Sequence, residues 1–334
     1  KMDSVAIHNR ALTAAEIGDR YSSGNSVGVV TIVVNAPPVI TPTSGTTTYI
    51  ENAAPITVDS TLTLIDIDSA QLTGATIQIT ANFLSGQDSL SFTNQNGIGG
   101  TWNAGSGMLT LSGNASVADY QSALRSITYS NSSDDPGIST RTVSFMTTDG
   151  IANSNYGFHD VAITAVNDAP VLDNTGNMTF TTVTEDQTSN AGNTISQIIA
   201  SAGGDRITDV DSGAVEGIAV TSLNSGSGNW QFSTNAGATW SNVGIVSGAQ
   251  ALLLRDTDLL RFVPNTLNGT TASVTFHAWD QTGVTAGQQG TKVDVSVNGG
   301  TTAFSAASTT SSIVVTDVND APTGLPTITG TVTE

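Results

Sequence analysis

Residues 161–170 read Val-Ala-Ile-Thr-Ala-Val-Asn-Asp-Ala-Pro, a β-prone run that ends in an acidic tetrapeptide closed by proline. The same ending recurs at Asn319–Pro322 after another Val-rich run, and a degenerate form stands at Asn35–Pro38. Asn, Asp and Pro are common turn residues, and the ring of Pro restricts the backbone of a linker. A strand that ends in the same linker each time predicts tandem β domains joined end to end.

Two further features recur between these linkers, in the same order. A glutamate follows a β-prone run at Glu51, Glu185 and Glu334. The pattern Asp-x-Asp-Ser then stands at Asp66–Ser69 and again at Asp209–Ser212. Because linker, glutamate and Asp-x-Asp-Ser recur in one order, we interpret the two long segments as related units of unequal length.

These features divide the chain into four parts. Residues 39–170 and 171–322 are predicted to be two full β units, and residues 323–334 the first strand of a further unit. Residues 1–38 are interpreted as the tail of a preceding domain with its linker. In that tail Thr13-Ala-Ala-Glu16 fits a capping box, which predicts a short helix over residues 14–21.

Composition predicts an all-β fold. Short alternating runs between turn residues predominate, as with Ile77 and Ile79, and this is the period of a strand with one buried face. One helix is predicted in the first unit, where Ser116 caps a segment that reaches Leu124. In the second unit Thr234–Gly237 predicts a hairpin turn. At 334 residues with 38% apolar content, the chain is long enough for two or three cores.

The charge balance excludes several classes of partner. With 9 basic and 28 acidic residues the formal net charge is −19, and no basic stripe is available to bind nucleic acid.

The sequence contains no run of about 20 apolar residues, so membrane insertion is not predicted. The absence of cysteine excludes thiolate metal sites and thiol catalysis. Strong acidity suits divalent cations, although solubility alone is an alternative explanation.

Several stretches resemble known repeat families. In the first unit these are LTLIDIDSAQLTGATIQIT (62–80), DSLSFTNQNGIGGTW (88–102), residues 107–136 and RTVSFMTTDG (141–150). They resemble the cadherin-like repeat of large bacterial surface proteins, which is akin to the chondroitin-sulfate-proteoglycan type. In the second unit GNWQFSTNAGATWSNV (228–243) and FHAWDQTG (276–283) resemble another repeat of the same adhesins. Residues 2–24 resemble the closing strand and helix of laminin-G/concanavalin-like domains.

The resemblance implies tandem cadherin/immunoglobulin-like β-sandwiches in a secreted, extracellular array at the cell surface. It also implies calcium at the junctions, since calcium takes six to eight oxygens and a junction gathers them from two domain ends and a linker. Asp317-Val-Asn319-Asp320-Ala-Pro322 resembles the cadherin linker Asp-x-Asn-Asp-Asn-x-Pro. On this basis Asp317, Asn319 and Asp320 begin a site that Glu334 and a following unit would complete.

At the junction between the two full units, the resemblance implies a site around Asn167 and Asp168. The resemblance also implies that the Asp-x-Asp of a junction comes from the lower end of the earlier domain, so Asp66 and Asp68 are expected to be the partners of Asp168. No calcium is predicted at the first junction, where Ala36 replaces the aspartate. The complete set of candidate calcium ligands is Glu51, Asp66, Asp68, Asp149, Asn167, Asp168, Glu185, Asp209, Asp211, Asp317, Asn319 and Asp320.

The favoured function is therefore a structural or adhesive segment of a large extracellular protein, with neighbouring repeats of the same chain as partners. Enzyme signals are poor, because His8, His159 and His277 are isolated in the sequence. Two alternatives stay open. Trp230 and Trp240 on one ribbon would suit a carbohydrate-binding module for cell-surface glycans. Exchange of strands between like subunits would make the chain part of an extracellular filament.

Overall fold

A computed structural model of the chain describes residues 34–283 and 288–321. The helix predicted over residues 14–21, the strand predicted within 323–334 and Glu334 lie outside these ranges. Within them, two β units follow one another and are joined by the linker that ends at Pro170. Neither described range holds a helix with the length and apolar character needed to cross a membrane.

The first unit is a β-sandwich. Its elements, in chain order, are β1 (Val39–Thr41), β2 (Thr46–Ile50), β3 (Ile56–Thr57), β4 (Thr63–Ile65), β5 (Gln71–Ala81), β6 (Asp88–Ser91), β7 (Gly99–Asn103), β8 (Met108–Ser116), α1 (Val117–Arg125), β9 (Thr128–Asn131), β10 (Arg141–Thr148) and β11 (Gly157–Thr164). One sheet has the order β2-β11-β10-β5-β8-β7, and the other has the order β3-β9-β6. Ile77, Val143 and Tyr129 belong to a single buried cluster with members from both sheets. Alternating burial along β5 and β11 supplies that core from one face of each strand.

The second unit repeats this plan. Its elements are β12 (Val171–Leu172), β13 (Val183–Thr184), β14 (Asn193–Thr194), α2 (Ile195–Ala200), β15 (Ile207–Thr208), β16 (Gly217–Asn224), β17 (Gly228–Ser233), β18 (Ser241–Asn242), β19 (Ala251–Arg255), β20 (Leu259–Pro264), β21 (Thr270–Trp279), β22 (Lys292–Val293) and β23 (Phe304–Thr316). The larger sheet has the order β13-β23-β21-β16-β19-β22, and the smaller has the order β14-β20-β17-β18. Trp230, Phe262 and Phe276 are fully buried in the core.

Two pairings common to both units decide where the candidate ligands lie. The first strand after each linker pairs antiparallel with the strand before Asp-x-Asp-Ser, β1 with β4 and β12 with β15. The strand before each glutamate runs parallel to the closing strand, β2 with β11 and β13 with β23. We call the end where the preceding linker enters a unit its upper end, and the end where the following linker leaves its lower end.

The helices distinguish the two units. α1 lies between β8 and β9, as predicted, with the Ser116 hydroxyl accepting from the Asp119 N–H and with Tyr120 and Leu124 buried. α2 lies between β14 and β15 and was not predicted, because its Ile-rich run suits a strand equally well. Its capping box, formed by Thr194 and Gln197, was the available signal.

The all-β fold and the hairpin at Thr234–Gly237 are confirmed, since β17 and β18 pair antiparallel around that turn. The edge strand β22 is short, because only Lys292 and Val293 pair with β19.

Candidate metal centre at the junction of the two units

The parallel pairing of β2 with β11 brings Glu51 to the following linker. Both strands end at the lower end of the first unit, so the residue after β2 meets the residues after β11. The Glu51 N–H donates to the Thr164 carbonyl at 3.0 Å, and Glu51 Oε2 accepts from the Val166 N–H at 2.8 Å. Only 4% of Glu51 is exposed, although it carries a carboxylate.

A second carboxylate reaches the same point from the loop after β9. Because β9 runs antiparallel to β3, its end lies near the start of β3 and therefore near Glu51. Carboxylate oxygens of Glu51, Asp134 and Asp168 all lie within 4.8 Å of one another. Asp134 was not among the predicted ligands. The available signal was the pair of adjacent acids in the loop Asn131-Ser-Ser-Asp-Asp-Pro136.

The upper end of the second unit supplies further acids to this junction. Asp211 Oδ2 accepts from the Asp168 N–H at 2.8 Å, and the Asp211 N–H donates to Asp209 Oδ1 at 2.9 Å. Asn167 Nδ2 donates to Asp280 Oδ2 at 2.9 Å. Asp280, which is 2% exposed and follows β21, was also missed by sequence analysis. The linker thus lies between acids of both units.

The expected pairing of Asp66 and Asp68 with Asp168 is wrong. Asp68 Oδ2 accepts from the Ala36 N–H at 2.8 Å, so it lies at the first linker. The physical reason is the antiparallel pairing of β1 with β4, which returns the end of β4 to the linker that precedes the unit. In the second unit Asp211 meets Asp168 for the same reason.

Asp149 also belongs to the upper end of the first unit. Its Oδ2 accepts from Asn35 Nδ2 at 2.8 Å, which repeats the bond between Asn167 and Asp280 one unit further on. Backbone N–H groups of Ala152 and Ile151 lower the pKa of Asp149 against the opposing effect of burial, and the Asn35 amide lowers it further. The first linker therefore has three candidate ligands beside it, although no calcium was predicted there.

The electrostatics of the central junction oppose the ionised state of its acids. Burial raises the pKa of Glu51, and the negative charges of Asp168, Asp211 and Asp134 raise it further, against the lowering effect of the Val166 N–H. Burial, then Asp134 and Asp211, raise the pKa of Asp168. Burial also raises the pKa of Asp209, although the Asp211 N–H opposes this. Each acid is destabilised as an anion by its neighbours.

Several of these carboxylates have a buried oxygen without a hydrogen-bond partner among the described residues. At the central junction the atoms are Glu51 Oε1, Asp168 Oδ2 and Asp209 Oδ2. Buried polar atoms are normally satisfied, so such atoms indicate a missing ion or water. Clustered carboxylate oxygens are the ligands that calcium prefers, and their mutual repulsion is what a divalent cation would remove. The residues present therefore fit a calcium ion.

The lower end of the second unit repeats half of this arrangement. Glu185, 1% exposed, accepts from the Val318 N–H at 2.7 Å through Oε1, as Glu51 does from Val166. Its Oε2 is buried and finds no hydrogen-bond donor within the described ranges. Asp317 accepts from the Gly269 N–H, and Asn319 and Asp320 are exposed. Glu334, the further ligand predicted for this end, lies outside the described residues.

Contacts within the two units account for His159, Trp230 and Trp240, whereas His8 lies outside the described residues. His159 is buried between Thr47 Oγ1, at 2.9 Å, and the Thr43 carbonyl, at 3.2 Å. Trp230 is in the core, and the Arg261 guanidinium lies 3.9 Å from the centre of the Trp240 ring. One face of the Trp240 ring is therefore covered, and the two rings do not form an open platform for a sugar.

Comparison with known proteins adds the following. No family model matches the chain. Halomucin of Haloquadratum walsbyi (strain DSM 16790 / HBSQ001) is 32% identical over 110 residues, which are 31% of this chain and 1% of that protein.

Solved structures of extracellular cadherin domains are similar at low identity. Domains 1–5 of protocadherin gamma B2 are 12% identical with a TM-score of 0.40, over 86% of this chain and 42% of that one. Domains EC22–24 of mouse cadherin-23 are 14% identical with a TM-score of 0.36, over 86% and 68% of the two chains. Domains EC1–2 of human mucin-like protocadherin are 12% identical with a TM-score of 0.35, over 84% and 98%. The fold assignment depends on the strand pairings described above.

Proposed function

We propose that this chain is a structural, adhesive segment of a large extracellular protein, in which calcium at the junction fixes the orientation of one β-sandwich relative to the next. The observation that supports this most directly is the convergence of Glu51, Asp134 and Asp168 from three separate segments, within 4.8 Å. Two of the three have buried oxygens that lack a partner among the described residues. Asp209, Asp211 and Asp280 would complete the set from the second unit.

Calcium suits this site better than magnesium does. Calcium accepts six to eight oxygens in flexible geometry at about 2.3–2.6 Å, whereas magnesium requires a tight octahedron and keeps much of its water. The junction offers many carboxylates on separate segments, which is a large and adaptable set. We expect a Kd of about 10⁻⁴ to 10⁻³ M, as in other extracellular modules.

Because both units have the same strand pairings, we also propose calcium sites at the two outer linkers. Asp66, Asp68 and Asp149 would bind calcium at the upper end of the first unit, where Asp66 Oδ2 is buried and has no partner within the described ranges. Glu185, Asp317, Asn319 and Asp320 would contribute to a site at the lower end of the second unit. Among the described residues, each of these two sites has acids from a single unit and its linker, whereas the central junction has acids from two units.

An extracellular location is supported by the relatives. Halomucin is a very long protein, since a match of 110 residues spans only 1% of it, and the similar solved structures are extracellular domains by name. The strongly acidic composition would keep a long tandem array soluble.

Small-angle scattering with calcium and with chelator tests the proposal. In calcium we expect a longer and better-defined maximum dimension, because a rigid junction keeps the two units extended. Asp134→Asn should shift this transition to roughly tenfold higher calcium, since the charge count of the ligands sets affinity. Asp160→Asn is the matched control, because Asp160 lies in mid-strand on β11 and accepts from Thr142 Oγ1 at 2.7 Å, away from both ends. An identical scattering profile with calcium and with chelator would refute the proposal.

A further inference from the structure

A charged pair is completely buried in the first unit, close to the loop that carries Asp134. Side-chain exposure is 1% for Arg141 and 0% for Asp88, and Arg141 Nε lies 3.2 Å from Asp88 Oδ2. Asp88 also accepts from the Tyr129 hydroxyl at 2.5 Å and from Asn131 Nδ2 at 2.7 Å. Such a pair costs desolvation energy and is weak evidence for stability by itself, so its other contacts indicate what it does.

The remaining donors of Arg141 all bind one loop. Nη2 donates to the Pro136 carbonyl at 2.7 Å, and Nη1 donates to the carbonyls of Gly137 at 3.0 Å and Ser139 at 2.5 Å. Gly137 has a φ of +62°, a conformation that suits glycine. The guanidinium therefore holds the C-terminal side of the loop that follows Asp134 and Asp135.

The other side of the same loop is held from Asp88 as well. Asn131, whose amide donates to Asp88, accepts from the Ser133 N–H at 2.8 Å through Oδ1. The Ser133 hydroxyl accepts from the Asp135 N–H at 3.1 Å. The loop is therefore held on both sides of Asp134, through Arg141 on one side and Asn131 on the other, and both of these residues bind the buried Asp88 carboxylate. Asp134 Oδ1 in turn accepts from Asn52 Nδ2 at 3.3 Å.

We propose that Asp88 and Arg141 are positioning residues, which hold the loop of residues 132–139 so that the Asp134 carboxylate faces Glu51 and Asp168. This inference rests on the proposed calcium site. The second unit offers an internal comparison. Alignment of RTVSF (141–145) with ASVTF (272–276) places the buried Ala272 where the first unit has Arg141, and the corresponding loop, Asn265–Gly269, contains no acid. The clamp and the acidic loop occur together in one unit and are both missing from the other.

Arg141→Lys tests the proposal, because it keeps the charge but loses the fork that contacts three carbonyls. We expect faster amide hydrogen exchange in residues 132–139 in chelator, where no metal contributes. We also expect calcium affinity at the junction to fall about 10-fold or more, the effect typical of groups that orient metal ligands. Arg125→Lys is the matched control, since Arg125 Nε donates to the Leu62 carbonyl at 2.8 Å, outside this loop.

A double-variant comparison separates positioning from general damage. In an Asp134→Asn background, Arg141→Lys should weaken calcium binding no further, because its effect acts through the carboxylate of Asp134. Additive losses, or unchanged loop exchange in a folded Arg141→Lys protein, would overturn the proposal. If Arg141→Lys does not fold, Ser133→Ala loosens the opposite side of the loop without disturbing the buried pair, and the same outcomes apply. Failure of the wild type to bind calcium would refute the proposed function, whereas the exchange measurement would still test the clamp.

Discussion

Glu51 is buried in a position where several negative charges surround it. Burial and the neighbouring charges of Asp168, Asp211 and Asp134 all raise its pKa, and only the Val166 N–H opposes them. In the absence of a cation, the folded state therefore binds a proton here more readily than the unfolded chain does. The same holds for Asp168 and Asp209, whose pKa values are also raised.

This raised pKa predicts a specific pH dependence without calcium. Since the folded state takes up protons at higher pH than the unfolded chain, these groups add stability as pH falls through their raised folded-state pKa toward the ordinary value, and they remove it as pH rises. Thermal unfolding in chelator should show this contribution as the difference between the wild type and Glu51→Gln, which cannot take up the proton. Acids with a lowered pKa, such as Asp59, contribute less to the stability of the fold as pH falls. This contribution is the same in both proteins and cancels in the difference between them.

In calcium the pH dependence of stability should have the opposite sign, because protons and calcium compete for the same carboxylate oxygens. The wild type should then become less stable relative to its pH 7 value as pH falls. Parallel pH profiles for the wild type and Glu51→Gln in chelator would contradict the assignment of the raised pKa to this junction.

At the scale of elements, Asp88 on β6, Tyr129 on β9 and Arg141 on β10 connect the two sheets of the first unit. Asp88→Asn would leave the buried guanidinium without its counter-charge, and breaking one side of such a pair typically costs about 3–5 kcal/mol. Urea unfolding should show this loss in the first unit. Asp173→Asn, which removes the partner of the more exposed Arg206, should have little effect, because exposed pairs contribute little. Equal losses in the two variants would contradict the prediction.

The sequence predicted the elements with strong local patterns. The helix after Ser116 and the hairpin around Thr234–Gly237 follow from capping and turn chemistry, which act over a few residues. Glu51 was among the candidate ligands because a glutamate recurs after each linker, but its position beside the linker that follows the first unit was not predicted.

The partners of Asp168 could not be predicted in the same way. They depend on the antiparallel pairing of β12 with β15 and on the parallel pairing of β2 with β11, contacts that alternating side chains do not specify. Asp134 was missed because the matching loop of the second unit, Asn265–Gly269, contains no acid. Asp280 was missed although Asp149 is its counterpart, because TTDG (147–150) and AWDQTG (278–283) share too little sequence to be matched without the strand order. Helix caps and turns can therefore be predicted from this sequence. Which candidate ligands come together at a junction is decided by strand pairing, which the sequence does not specify.

For the whole molecule, a shared site predicts that calcium stabilises both units together. A ligand at ten to a hundred times its Kd should stabilise the folded state by about 1.4–2.7 kcal/mol per site. Scanning calorimetry should show the unfolding of each unit at higher temperature in calcium, with a smaller effect of magnesium at the same concentration. Asp211→Asn, which changes only the second unit, should reduce the calcium shift of the first unit as well. A shift confined to the second unit would contradict a shared site.

The parallel pairing of β2 with β11 has a consequence for a chain under tension. A pull applied through the two linkers draws β2 toward the upper end and β11 toward the lower end, so the strands are loaded in shear. Five residue pairs then resist at once, rather than breaking one after another as they would in a ladder that is peeled open. The matching ladder of the second unit has two pairs, with a separate parallel bridge between Thr179 and Ser312. This pairing is shorter and interrupted, so the second unit is the one expected to yield first and lengthen under load.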